Sequence, residues 1–208
     1  MTEAVVLVHG IWMTGLDLLV LRARLQKADF APTIARYPSL RLPPRTNARR
    51  VREVVDRLDA DRVHLVGHSL GGLVILHMLR DGPPRRPGRV VLLGCPVQGS
   101  RVARILSAHW ATRPFIGRSG EAGLLGGGPE LPADREVGTI AGSLAVGVGR
   151  LLRGVDGPSD GTVALSESRI EGAKDHVILP VTHTGLVTSR VAAEQIVGFL
   201  REGRFDHA

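Results

Sequence analysis

Short apolar runs alternate along the chain with segments whose apolar positions recur every three or four residues. The runs Val5 to His9, Thr33 to Arg36, Val63 to Gly67, Arg89 to Gly94, Val137 to Ala141 and His176 to Val181 read as strands. Each is brief, apolar or β-branched, and bounded by Gly, Pro or charge. Val51, Val54, Val55 and Leu58 fall at i, i+3, i+4 and i+7, and Ala192, Ile196, Phe199 and Leu200 form a similar stripe. Both stripes predict helices that face a core. Gly15 to Ala28 reads as a third helix and Ser69 to Arg80 as a fourth, stopped by Gly82-Pro83-Pro84. Strands and helices in alternation predict an α/β fold: a minimal parallel sheet of about six strands with helices on both faces.

The chain length of 208 residues fits a single domain over 1–208. Residues 96–136 interrupt the alternation with Trp110, Phe115, Ile116, Leu124, Leu125 and the breaker Gly126-Gly127-Gly128-Pro129. A structureless loop of that length is unfavourable in a compact domain, so short helices forming a small lid or pocket wall are expected there.

Composition removes several function classes. Aromatic residues are only 3% of the chain, which disfavours nucleic-acid stacking platforms and aromatic sugar clefts, so no nucleic-acid partner is expected. The single cysteine, Cys95, cannot form an intramolecular disulfide and reads as a small buried residue. The chain passes from Met1-Thr2-Glu3 straight into an apolar strand, and no apolar run reaches the length of a membrane span. A cytoplasmic protein without stable membrane insertion is expected.

Charge adds one more feature. The net charge is +7, and all basic residues except Lys27 and Lys174 are Arg. Between Arg36 and Arg62 the arginines interleave with Glu53, Asp56, Asp59 and Asp61, with Arg49/Glu53/Arg57 and Arg52/Asp56 at i,i+4, the pattern of a solvated helix face. Between Arg80 and Arg118 eight Arg face only Asp81 until the run ends, a candidate patch for anionic partners.

Reactive chemistry is concentrated in Gly67-His68-Ser69-Leu70-Gly71-Gly72, preceded by a strand-like run and followed by a helical one. This is a G-x-S-x-G nucleophile elbow in the context that it requires: a tight strand-to-helix turn that projects the Ser69 hydroxyl above the sheet, with the Leu70 N–H beside it. A serine hydroxyl needs a histidine base, and the histidine a carboxylate. Functional groups of open parallel sheets gather at the carboxyl ends of the strands, which sorts the eight histidines. His183 follows the last strand on that edge and is the expected base. His176 begins the same strand on the opposite edge; His64 lies within a strand, His77 within a helix, and His207 in a tail expected to fray. His109 lies in the irregular region, within possible reach of the site.

The acid is expected between elbow and histidine, where Asp156, Asp160 and Glu167 stand. Asp160, in Pro158-Ser159-Asp160-Gly161-Thr162-Val163, occupies a turn that can present a carboxylate inward, and Asp156 is the alternative. On the same edge, Val8-His9-Gly10-Ile11-Trp12 leaves the first strand. The Ile11 N–H would join that of Leu70 in an oxyanion hole, with His9 as a hydrogen-bonded structural residue. Trp12 would either line an acyl pocket or fill core. No metal-ligand spacing or phosphate loop is present, so neither metal nor cofactor is expected.

With these motifs in view, the chain resembles small bacterial esterases and lipases of the α/β-hydrolase superfamily, near the lidless lipases and the PGAP1-like hydrolases. The resemblance rests on Val8-His9-Gly10-Ile11, the elbow, Gly94-Cys95-Pro96-Val97-Gln98-Gly99-Ser100, Asp160-Gly161-Thr162-Val163 and Thr182-His183-Thr184-Gly185-Leu186. It implies an α/β-hydrolase fold, a Ser69-Asp160-His183 triad, oxyanion donors at Ile11 and Leu70, and hydrolysis of a small-molecule or lipid-like ester through an acyl-enzyme. Acyl transfer or thioester cleavage could use the same triad. The reading from another class is a catalytically silent scaffold that binds anionic partners through Arg80 to Arg118.

Overall fold

The computed structural model describes residues 2–131, 135–147 and 157–207. In chain order the elements are β1 (Glu3–Val8), a 3-10 turn (Leu16–Leu18) running into α1 (Leu19–Lys27), β2 (Ala31–Ala35) and α2 (Pro44–Arg57). β3 (Arg62–His68), α3 (Leu70–Arg80), β4 (Val90–Leu93), α4 (Arg101–Ala108) and β5 (Val137–Gly142) follow. The chain closes with α5 (Leu165–Ser168), β6 (Asp175–Leu179), α6 (Gly185–Thr188) and α7 (Arg190–Glu202). The strands lie in the order β2-β1-β3-β4-β5-β6, every neighbouring pair parallel.

Alternation along the central strands divides the core into two layers. Val6, Val8, Leu65 and Leu92 point to the face covered by α2, α3 and α4, where Val51, Val55, Leu73 and Leu76 pack. Val5, Leu7, Val66, Val91 and Leu93 point to the other, against Leu21 and Leu25 of α1 and Ile196, Phe199 and Leu200 of α7. Since side chains of a strand alternate between faces, a strand buried on both must be apolar throughout, as β1 is from Ala4 to Val8. Local signals end the helices where the sequence supplies them: Pro44 opens α2, the Ser189 hydroxyl accepts the Ala192 N–H at the start of α7, and Gly203 closes α7 with φ 76°.

β1 is followed by β2 on one side of it and has β3 on the other, so the order reverses there and a crevice opens at the carboxyl ends of β1 and β3. The loop after β1 and the elbow after β3 both emerge at that crevice.

Three expectations change in three dimensions. The run of arginines from 80 to 118 is not one patch, because β4 crosses the whole sheet between Arg89 and Arg101. Arg85, Arg86 and Arg89 therefore lie at the amino edge, and Arg101, Arg104, Arg113 and Arg118 in the segment that leaves the carboxyl edge. Several are also neutralised locally: Arg80 pairs with Asp81, Arg89 with Glu136, and Arg118 with Glu121. The C-terminal tail does not fray. Phe205 is buried and stacks on Phe199 with centroids 4.8 Å apart, and Asp175 takes the Phe205 N–H at 2.6 Å and the His207 ring at 2.9 Å. Arg52, at i,i+4 spacing from Asp56, reaches instead to the Met78 carbonyl near the end of α3 at 2.7 Å.

Candidate active site

The elbow begins where β3 runs out of sheet. Ser69 adopts φ 53°, ψ −123°, a region that costs a side-chain-bearing residue energy and persists only where the surroundings impose it. The surroundings are identifiable: the Ser69 N–H donates to Leu93 O on β4 at 2.8 Å, and the Ser69 carbonyl accepts the Gly72 N–H at 3.0 Å. Gly71 lets the first turn of α3 press onto β1, since a Cβ there would stand 2.2 Å from the Val8 carbonyl oxygen. Leu70 occupies the first helical position, where an N–H has no acceptor within the helix. Among the described residues neither its N–H nor that of Ile11 is taken by a protein acceptor.

The loop carrying Ile11 is fixed from behind. His9 is fully buried, its Nδ1–H donates to Gly10 O at 2.9 Å, and its ring stacks on Tyr37 with centroids 4.3 Å apart. The Tyr37 hydroxyl in turn donates to His9 O at 2.6 Å. Burial lowers the His9 pKa, so a neutral imidazole with Nδ1 protonated holds the loop. Gly10 touches the elbow: a Cβ at that position would lie 3.2 Å from Ser69 Cβ and 3.3 Å from Met13 Sδ.

Asp160 and His183, far apart in sequence from the elbow, reach the same edge by way of β5 and β6. The His183 Nδ1–H donates to Asp160 Oδ2 at 2.6 Å, and both side chains are buried. Asp160 Oδ1 accepts the N–H groups of Thr162 at 2.9 Å and Val163 at 2.8 Å, and the His183 N–H donates to Asp160 O at 2.9 Å. The carboxylate is thus oriented by its own turn, and the imidazole by the carboxylate. With its proton on Nδ1, His183 presents Nε2 as the basic nitrogen. Gly94, at the end of β4 beside Leu93, makes room for the pair: a Cβ there would be 3.0 Å from both Asp160 Oδ2 and His183 Nδ1.

The family follows from sequence and architecture together, for residues 5–193 match the family described as the alpha/beta hydrolase family. This chain belongs to the alpha/beta hydrolase family. Solved structures agree on the fold. A metagenomic carboxyl esterase superposes with a TM-score of 0.69 at 19% identity, over 97% of this chain and 76% of that one. A Bacillus licheniformis lipase in its mature form gives 0.70 at 16% identity, over 96% and 91%. A lipase-esterase related protein from Clostridium acetobutylicum gives 0.60 at 14% identity, over 96% and 93%.

One residue beside the candidate site of this alpha/beta hydrolase carries no signal in the strand-edge pattern. His68, the second residue of the elbow motif, is fully buried, with its ring 4.6 Å from that of His183. Its Nε2–H donates to the His183 carbonyl at 3.1 Å, and burial, then the neighbouring His183, keeps its pKa well below the ordinary histidine range. A neutral ring therefore braces the backbone of His183 without adding charge beside it. Its position directly before Ser69 was the available signal.

The other candidates separate from the site. Glu167 accepts the N–H groups of Arg101 at 2.6 Å and Ala164 at 3.0 Å, which anchors the start of α4 to the loop after Asp160. His109 is exposed and accepts the Ala111 N–H, His77 donates to Ala122 O, and His176 meets the Thr139 hydroxyl. Asp156 lies outside the described residues. Cys95 is buried, and burial raises its thiol pKa far above the ordinary value. No cluster among the described residues could hold a metal ion. Trp12 is not core: it is 45% exposed, donates its indole N–H to Phe115 O at 2.7 Å, and lines a cavity of about 540 Å³ with His9, Met13, Tyr37 and Arg41. A larger hollow of about 670 Å³ runs along α1 and α7; neither cavity is lined by a residue of the elbow, but the Trp12 cavity includes His9, which borders the loop carrying Ile11.

Proposed function

We propose that this chain is a serine hydrolase of carboxylic esters working through an acyl-enzyme on Ser69. The observation that carries the reading is the buried His183–Asp160 pair, bonded at 2.6 Å on the same sheet edge as a serine at φ 53°. A solvated surface histidine would need neither a buried carboxylate nor a strained serine on the same sheet edge. In this reading Ser69 Oγ attacks the ester carbonyl carbon as its proton passes to His183 Nε2, and the oxyanion accepts the N–H groups of Ile11 and Leu70. The tetrahedral intermediate expels the alcohol, which leaves with the proton from His183. Water then attacks the acyl carbon, giving its proton to His183, and collapse releases the carboxylate and restores Ser69. Asp160 stabilises the imidazolium in both halves. Trp12 and the cavity beside it would receive part of the substrate.

Placement near the lidless lipases and the PGAP1-like hydrolases, with residues 96–136 acting as a pocket wall and the protein in the cytoplasm, belongs to the same proposal. The similarity of fold to a carboxyl esterase and a lipase supports it. Labelling with a fluorophosphonate probe and turnover of p-nitrophenyl esters of increasing acyl length test it. The parent chain should label and turn over, and Ser69→Ala should do neither. A parent that does neither under any acyl length would overturn the proposal, and label retained by Ser69→Ala would move the nucleophile elsewhere.

A further inference from the structure

The large apolar side chains that reach solvent are distributed unevenly. Trp110 is 83% exposed, Val146 66%, Leu16 64%, Phe115 57%, Leu144 48% and Trp12 45%, while Ile178 on the edge strand β6, at 47%, and Leu19, Val20, Ile105, Leu125 and Val191 are exposed elsewhere in the chain. The first six are carried by segments that leave the carboxyl ends of β1, β4 and β5. Trp12 and Phe115 are joined by the indole-to-carbonyl bond at 2.7 Å. On the other side of the elbow, Val146 packs against Gly161, where a Cβ would stand 2.3 Å from its backbone, next to Asp160. Among the described residues, the loops at the amino ends of the strands expose no large apolar side chain. Exposed apolar residues that occur singly need no partner, whereas the cluster of the most exposed ones at one edge marks an interaction surface.

Guanidinium groups accompany the apolar ones. Arg113 lies between Trp110 and Phe115, Arg104 lies on the preceding helix α4, and Arg41 lines the cavity that Trp12 lines. Aromatic rings mixed with arginine match the boundary of an anionic bilayer, where rings sit at headgroup depth and cations meet lipid phosphates. A second copy of the chain fits poorly, since a two-fold interface would bring two copies of the same arginines into one contact.

We propose that this face docks peripherally on an anionic phospholipid surface and that Ser69 meets its ester from the bilayer side. No helix among the described residues is long and apolar enough to cross a membrane, so docking is interfacial. The docking surface follows from side-chain placement alone; delivery of an ester to Ser69 rests on the hydrolase reading.

Sedimentation of the full chain with phosphatidylglycerol-containing vesicles, against phosphatidylcholine alone, tests the docking. Both tryptophans of the chain lie on this face, so a blue shift of their emission on the anionic vesicles is expected. The double variant W110S/F115S should bind about tenfold or more weakly with an unchanged melting curve, as should L144S/V146S on the opposite loop. The charge reversal R85E/R86E, at the far edge, should bind as the parent does. Binding that survives both apolar variants, or is lost only with R85E/R86E, overturns the proposal. So does failure to bind anionic vesicles, or self-association without lipid that W110S/F115S abolishes. Fluorophosphonate labelling without vesicles judges the chemistry separately: a chain that labels but does not bind loses only the docking, and one that binds but does not label loses only the hydrolase reading.

Discussion

Asp160 and His183 illustrate what one residue can and cannot disclose. Each was singled out from the sequence by position, the histidine because it follows the last strand and the aspartate because Pro158 and Gly161 frame a turn. The bond of 2.6 Å between them, and the two backbone N–H groups on the other carboxylate oxygen, belong to the folded chain. If the pair works as proposed, Asp160→Asn should lower kcat by about 10⁴-fold while the protein stays folded, because an amide cannot hold the Nδ1-protonated tautomer in the same way. Steady-state turnover with a circular dichroism control measures this, and a larger loss in Asp156→Asn would transfer the role. His68 was not legible as more than a motif position. Its bond to the His183 carbonyl joins residues 115 positions apart.

At the scale of elements, the site depends on how closely α3 approaches β1 and β4. Gly71→Ala sets a Cβ against backbone oxygen rather than a movable side chain, so it should destabilise the protein by about 3 kcal/mol or more in urea unfolding. Gly94→Ala meets the Asp160 and His183 side chains and the Leu186 methyl group, at a residue with φ 51°. It should therefore reduce kcat at least about 100-fold, out of proportion to its loss of stability, as the acid-base pair is pushed off its alignment. Equal proportional losses in both variants would contradict this division. The strands and main helices were legible because their burial pattern repeats over many residues, and their ends moved by a residue or two. The long segment 96–136 carried no such period. Its short helix α4 is defined by the Ser100 hydroxyl on the Ala103 N–H and by Glu167 on the Arg101 N–H, the latter a contact across 66 positions.

For the whole molecule, buried histidines link stability to pH. His64 is fully buried on β3, with Glu3, Arg62, Arg89 and Arg135 around it, and burial pushes its pKa down to about 4. Folded protein binds fewer protons there than the unfolded chain, whose histidine titrates near 6.5. The stability from this residue is complete above pH 6.5 and declines as pH falls toward 4, by on the order of 3 kcal/mol. Urea unfolding across that window should show the decline, and His64→Asn, which keeps an acceptor for the Arg89 N–H, should flatten it; an unchanged slope would assign the loss to other groups. By itself the sequence determined the alternation of strands and helices, the elbow and the chain order of its candidate partners, because periodicity and turn chemistry act between near neighbours. Only the tertiary structure decided the strand order, the division of the arginines between two edges, the docked tail and the His68 brace. Those depend on which distant segments pack together, and burial free energy rewards that packing without leaving a local pattern in the chain.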